Sequence, residues 1–430
     1  MGNLAYRSGQ PALAHFDALL ERYRHVRALS EGLCAPLTIE DHVIQSMPDV
    51  SPPKWHLAHM SWFFEAFLLK PFLVGYRPLD EAYDHLFNSY YQTHGTPFER
   101  ARRGLLSRPG VAEVYAYRRH VDEAMADLLA RPPADKAAQI AERVELGLQH
   151  EQQHQELLLM DIKHILAQNP LHPVYRSDLQ PAPASTHEKL RWLDYEGGVR
   201  SIGHEGEGFA FDCERPRHRE FIEDFQLASR LVTNGEYLSF MADGGYARPE
   251  LWLSDGWDLV RRADWHAPLY WQRHEGFWHE MTLGGLRPLA LDTPVCHLSF
   301  FEADAYARWA GARLPSEAEW EVAAADQPRR GNFLEDDHLH PIPASGDSDG
   351  PQQLFGDLWE WTASAYRPYP GFRALEGSLG EYNGKFMSGQ MVLRGGCCAT
   401  PETHIRATYR NFFPPAARWQ FAGLRLAREV

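Results

Sequence analysis

The chain has 430 residues, longer than one ordinary hydrophobic core organises, so two domains of roughly 150 to 250 residues are expected. Carboxylates outnumber Lys and Arg by 58 to 43, and the resulting net charge of −15 argues against sequence-independent binding to nucleic acid or an anionic membrane. No apolar run approaches the roughly 20 residues a membrane span needs, and the opening MGNLAYRSGQPALAHFD lacks a basic segment followed by an apolar block, so a cytoplasmic protein acting on small molecules is expected. The five cysteines, Cys34, Cys213, Cys296, Cys397 and Cys398, form no C-x-x-C pair. They read as reduced, buried thiols, the adjacent Cys397 and Cys398 included.

In chain order, apolar residues recur at spacings of three and four through four long segments: HFDALLERYRHVRALSEGL, PPKWHLAHMSWFFEAFLLKPFL, VAEVYAYRRHVDEAMADLLA and DKAAQIAERVELGLQHEQQHQELLLMDIKHILAQ. Four antiparallel helices over residues 1–170 are the economical reading. The last of them should stop at Asn169-Pro170, where proline removes a donor and restricts its predecessor. Residues 171–189, rich in proline and small polar side chains, read as a linker. From 190 to 430 the texture changes to short strands, many glycines and aromatics and brief helical patterns, which predicts a compact α+β domain.

The fourth helix carries QHEQQHQE, a literal H-E-x-x-H. His150 and His154 are four residues apart, so both imidazoles lie on one helix face and can meet one metal ion. Gln153 shares part of that face. A zinc peptidase would use Glu151 as its general base and needs a third ligand downstream. No glycine and histidine follow at the metzincin spacing, and the next segment is the proline-rich stretch. Upstream, SPPKWHLAHMSWFFE offers His56 and His59, either of which is a candidate third ligand. An all-imidazole set with open positions suits zinc, copper or ferrous iron.

The combination of WHLAHMSWFFE and HEQQHQE with GFAFDCERPRHREFIEDFQLASRLVTNGEYLSF, ARLPSEAEWEVAA, FGDLWEWTAS, VLRGGCCAT and FAGLRLA resembles the sulfoxide synthases of ergothioneine biosynthesis. The resemblance spans nearly the whole chain. It implies a DinB-like four-helix bundle followed by a C-type-lectin-like domain of the formylglycine-generating-enzyme type. It also implies Fe(II) as cofactor and O2 as co-substrate, with a thiol donor joined to C2 of the hercynine imidazole.

Carried over by position, the resemblance implies that His59, His150 and His154 hold the iron, leaving His56 to packing or to support of a ligand. Gln153 would contact the hercynine imidazole, while Glu151 would have no catalytic role. Tyr90 and Tyr91, which follow Phe87-Asn88-Ser89, match a tyrosine pair that in one branch of the family lines the active site and supplies a proton or an electron. Asn411, Phe412 and Phe413 would meet the betaine end of hercynine, its ammonium held by aromatic faces. Arg103 is the expected anchor of a donor carboxylate, with Arg102 and Arg108 as substitutes. The aromatic residues Trp320, Trp359 and Trp361 are expected in the core of the second domain. A selenoneine synthase, taking a selenosugar as donor, is the competing reading on the same scaffold, and a zinc peptidase is a distant second.

Overall fold

The computed structural model describes residues 10–183, 189–344 and 349–430, with side chains from residue 15 onward. The chain falls into two compact units, Met1–Ile165 and Leu166–Val430.

In the first unit the four long segments are helices: α1 (Gln10–Cys34), α2 (Pro53–Phe64), α5 (Val111–Ala130) and α6 (Ala137–Ala167). A π-helical turn at Glu65–Leu69 and a last turn, α3 (Lys70–Phe72), extend α2, and a short α4 (Tyr83–Phe87) lies in the connection to α5. On α1 the buried residues Phe16, Leu19, Tyr23 and Val26 follow the three-and-four spacing that gives one apolar stripe. By contrast, every residue of α2 is buried, so this helix runs through the middle of the unit. Its polar residues Lys54, His56, His59 and Ser61 therefore need partners inside the protein.

The helix directions differ from simple alternation. Tyr23 and Arg27 on α1 bond Asp122 while Glu31 bonds Arg118, so α1 and α5 run antiparallel. Arg22 pairs with Glu145 and Arg27 with Glu151, so α1 and α6 run parallel. Helices α2 and α6 are antiparallel, since His56 meets His154 while His59, further along α2, meets His150. The connection from Leu73 to Gly110 is long enough to carry the chain back along the bundle before α5 begins. That return corrects the expected antiparallel order, and it lays residues 83–98 beside the middle of α2.

The second unit holds four small sheets and four helices among its described residues. A four-stranded sheet orders β10 (Asn411–Phe413), β9 (Met391–Arg394), β8 (Trp359–Ala365) and β11 (Ala422–Gly423). Three more sheets join β1 (Trp192–Tyr195), β4 (Phe225–Ala228) and β12 (Ala427–Glu429); β2 (Gly198–Ile202) and β3 (His218–Ile222); and the meander β5 (Trp271–His274), β6 (Phe277–Thr282) and β7 (Gly285–Pro288). Helices α7 (Asn234–Ala242), α9 (Phe300–Trp309) and α10 (Glu317–Ala324) each open with a Ser or Thr cap answered by a Glu three residues on: Thr233 with Glu236, Ser299 with Glu302 and Ser316 with Glu319. The remaining helix, α8 (Ser254–Arg262), is amphipathic. Trp320, Trp359 and Trp361 are fully buried, as expected of core residues, and all five cysteines are free and buried. Within the proline-rich stretch, Tyr175 and Arg176 donate to the Leu283 carbonyl and Arg176 pairs with Asp178 and Asp337, while residues 184–188 lie outside the described part.

Candidate metal centre

The α2–α6 contact brings His59, His150 and His154 together, one ligand atom of each lying within 4.8 Å of the others. The helices approach this closely because Gly147 lacks a side chain: a Cβ there would lie 2.5 Å from Cε1 of Phe64. Burial holds all three imidazoles neutral, pulling His150 down to about 3 and the other two well below their ordinary value. Neutral rings in a dry site offer lone pairs, which is the form a metal ion requires.

Each ring is held from behind. His59 donates from Nδ1 to the Phe87 carbonyl at 2.6 Å, which leaves the Nε2 lone pair facing Nε2 of His150 at 3.1 Å. Adjacent nitrogens each about 2.1 Å from one ion lie about 3 Å apart, so this spacing fits shared ligation. The His59 ring is stacked between Trp55, at 4.7 Å and 11°, and Trp62, at 5.5 Å and 18°. The indole of Trp55 donates to the Leu86 carbonyl and that of Trp62 to Asp84, so neither plate can turn freely. Phe63 stacks on His150 at 4.3 Å. His154 meets Nδ1 of His56 at 2.9 Å, and the other nitrogen of His56 meets Asp161 at 2.9 Å. Sequence reasoning left His56 to packing or to support of a ligand, but assigned neither the aromatic plates nor Asp161, the partner of His56, to the site. The available signal was that Asp161 lies seven residues beyond His154, two turns along the same face.

Glu151, the middle letter of H-E-x-x-H, points elsewhere. It is 0% exposed and accepts from Arg27 at 2.9 Å, Ser30 at 2.7 Å and Arg118 at 3.3 Å. Burial alone would raise its pKa; the two guanidinium groups outweigh it and hold the carboxylate ionised. Committed to α1 and α5, it is no general base for a zinc-bound water.

Tyr90 and Tyr91 stack at 4.5 Å with their hydroxyls 3.4 Å apart. Tyr91 is fully buried against Trp62 and Phe67, and Asn88 clamps the loop by accepting from the Tyr91 amide and donating to its carbonyl. The tyrosine loop and the support for His59 are thus one segment, Phe87–Tyr91. Gln153 is half-buried on α6 beside His154. Arg103 is buried with its guanidinium 3.3 Å over the Trp55 ring and donates to Ser51 Oγ, while its Nε has no partner among the described residues. Arg102 and Arg108 are exposed. In the second unit Asn411, Phe412 and Phe413 are half-buried on β10; Phe412 stacks on Tyr366 at 4.2 Å and Phe413 meets Trp419 edge-on.

Residues 22–158 match the DinB superfamily, and residues 177–346 and 338–430 match the sulfatase-modifying factor enzyme 1-like domain. The hercynine oxygenase of Mycobacterium tuberculosis is 33% identical over 408 residues, covering 89% of this chain and 92% of that protein. The hercynine oxygenase of Mycolicibacterium thermoresistibile is 32% identical over 89% of this chain and 88% of its own length. Ergothioneine biosynthesis protein 1 of Schizosaccharomyces pombe is 27% identical over 59% of this chain and 30% of its own. With both domain families in the same order and one-third identity along nearly its whole length, the chain belongs to the hercynine oxygenase family of oxygen-dependent oxidoreductases.

Proposed function

We propose that the protein is a non-haem iron(II) enzyme that uses O2 to join the sulfur of cysteine or γ-glutamylcysteine to C2 of the hercynine imidazole, leaving a sulfoxide. The observation that carries this reading is the convergence of His59, His150 and His154 as three neutral, fixed imidazoles in a member of this family. The balance is R–SH plus imidazole C–H plus O2 giving R–S(O)–imidazole plus H2O. One oxygen atom ends in the sulfoxide and the other in water, so four electrons leave the two substrates.

Iron(II), when bound by this triad, supplies oxygen activation and open positions at which substrates are held side by side. The chain's own groups then orient and protonate. Gln153, one residue before His154, is the proposed contact of the hercynine ring. Tyr91, with Tyr90 stacked on it, is the proposed proton or electron donor, and its placement against Trp62, a plate of His59, supports that role. Arg103 is the proposed anchor of the donor carboxylate. In support, no carboxylate lies within ion-pair distance of its guanidinium among the described residues, and its buried Nε has no hydrogen-bond partner there. For the betaine end, Asn411, Phe412 and Phe413 are the proposed contacts, the aromatic faces serving the quaternary ammonium.

The test is to reconstitute the full chain anaerobically with iron(II), add hercynine with cysteine, γ-glutamylcysteine or a selenosugar, admit O2 and identify products by mass. A sulfoxide from one of the thiols is expected. A carbon–selenium product made only from the selenosugar would replace the sulfur assignment, and absence of any C2-substituted imidazole would reject the proposal.

A further inference from the structure

Behind the metal centre lies a chain of three buried groups. His154 on α6, His56 on α2 and Asp161, two turns further along α6, are 9%, 2% and 2% exposed. Nδ1 of His154 lies 2.9 Å from Nδ1 of His56, and Nε2 of His56 lies 2.9 Å from Oδ2 of Asp161. That carboxylate oxygen also accepts the backbone N–H of Ser51 at 2.8 Å, two residues before α2 begins.

The proton positions follow from chemistry. Oδ2 of Asp161 already accepts the Ser51 N–H, and the same acceptor faces Nε2 of His56, which is thereby placed to carry its proton toward Asp161. With its ring proton at Nε2, His56 presents a lone pair at Nδ1, and the 2.9 Å nitrogen–nitrogen contact is then a hydrogen bond in which His154 donates from its own Nδ1. With that proton placed, the lone pair of His154 is at Nε2, the nitrogen left for the cluster with His59 and His150. Reversing either bond would put a proton on the nitrogen that must ligate.

We propose that Asp161 and His56 are positioning residues that fix His154 in the Nδ1–H tautomer and so prepare it to bind the metal. The inference rests on the reading of the three histidines as a metal centre. The Phe87 carbonyl does the same for His59. The two devices differ in kind: His59 is set by a backbone group that no substitution removes, whereas the setting of His154 depends on two replaceable side chains. Such outer partners commonly change metal affinity by about 10- to 100-fold.

The test uses the full chain, labelled with 15N-histidine and free of metal. Long-range proton–nitrogen correlation should show His154, assigned by its loss in His154→Gln, as the Nδ1–H tautomer. In Asp161→Leu the acceptor is lost, so nothing holds the proton of His56 at Nε2 and the Nδ1–H tautomer of His154 should no longer dominate. Iron(II) affinity, measured by chelator competition, should fall by about 10- to 100-fold in Asp161→Leu and in His56→Phe, and the ligand-field spectrum of the cobalt(II) form should change with it. A merely structural role would lower the melting temperature of the metal-free protein and leave the affinity of its folded fraction unchanged. An Nε2–H tautomer in the unsubstituted protein overturns the inference whether or not either variant folds. So does iron(II) affinity within twofold of the unsubstituted protein in the folded variants. An unsubstituted protein that takes up no iron(II) overturns the metal-centre reading instead, and this inference with it.

Discussion

His150 and His154 were legible from sequence because the helix period alone places residues four apart on one face. Glu151 was legible only in part, since its letter suggested a base and its position, about 100° further around α6, faces α1. There it closes a network with Arg27, Arg118 and Ser30 that is buried on every side. Breaking such a network leaves guanidinium groups without their counter-charge, at a cost of about 3–5 kcal/mol. Glu151→Ala is therefore expected to destabilise the metal-free chain by about that amount in urea unfolding, while the folded fraction keeps its iron(II) affinity within tenfold. A stable variant that had lost its metal would show instead that Glu151 serves the metal centre rather than the α1–α5 network. His59 carried no spacing signal, because its partners lie about ninety residues away on another helix; the resemblance supplied it. His56 was expected to pack or to support a ligand, but its pairing with Asp161 was not legible for the same reason, the contact being tertiary.

At the scale of elements, four long helices were predicted and four are present, because amphipathic period and proline boundaries are local properties. Their directions were not legible: alternation was expected, whereas α1 and α6 run parallel. What decides this is the length of the Leu73–Gly110 connection and the cross-helix ion pairs, neither of which a helical pattern encodes. The π-helical turn at Glu65–Leu69 was likewise unseen. Gly147 marks where α6 meets α2. Glycine inside a helix ordinarily costs about 1 kcal/mol relative to alanine, so replacing it with alanine should stabilise an unconstrained helix. Here the added methyl would press on Phe64, and the overpacking cost, about 1–3 kcal/mol, should win. Gly147→Ala is thus expected to lower the melting temperature and weaken iron(II) binding by spreading His59 from His150. A rise in melting temperature would show that the close helix approach is not needed.

Across the whole molecule, the change of texture near residue 170 announced two architectures, and the contact pattern divides the chain at Ile165. The capping boxes Thr233/Glu236, Ser299/Glu302 and Ser316/Glu319 start helices whose sequence signal is as local as that of the bundle. The sheet order β10-β9-β8-β11 was beyond such reading, since it pairs strands separated by long irregular loops. The proposed function requires that oxygen consumption be coupled to both organic substrates. Oxygen uptake by the full chain carrying one iron(II) is the most direct measurement of that requirement. Rapid uptake is expected only when hercynine and a thiol are both present, with one O2 consumed for each sulfoxide formed, and none of this coupled uptake is expected in His59→Ala. Uptake that proceeds equally without hercynine, or that survives loss of His59, would contradict the proposed function.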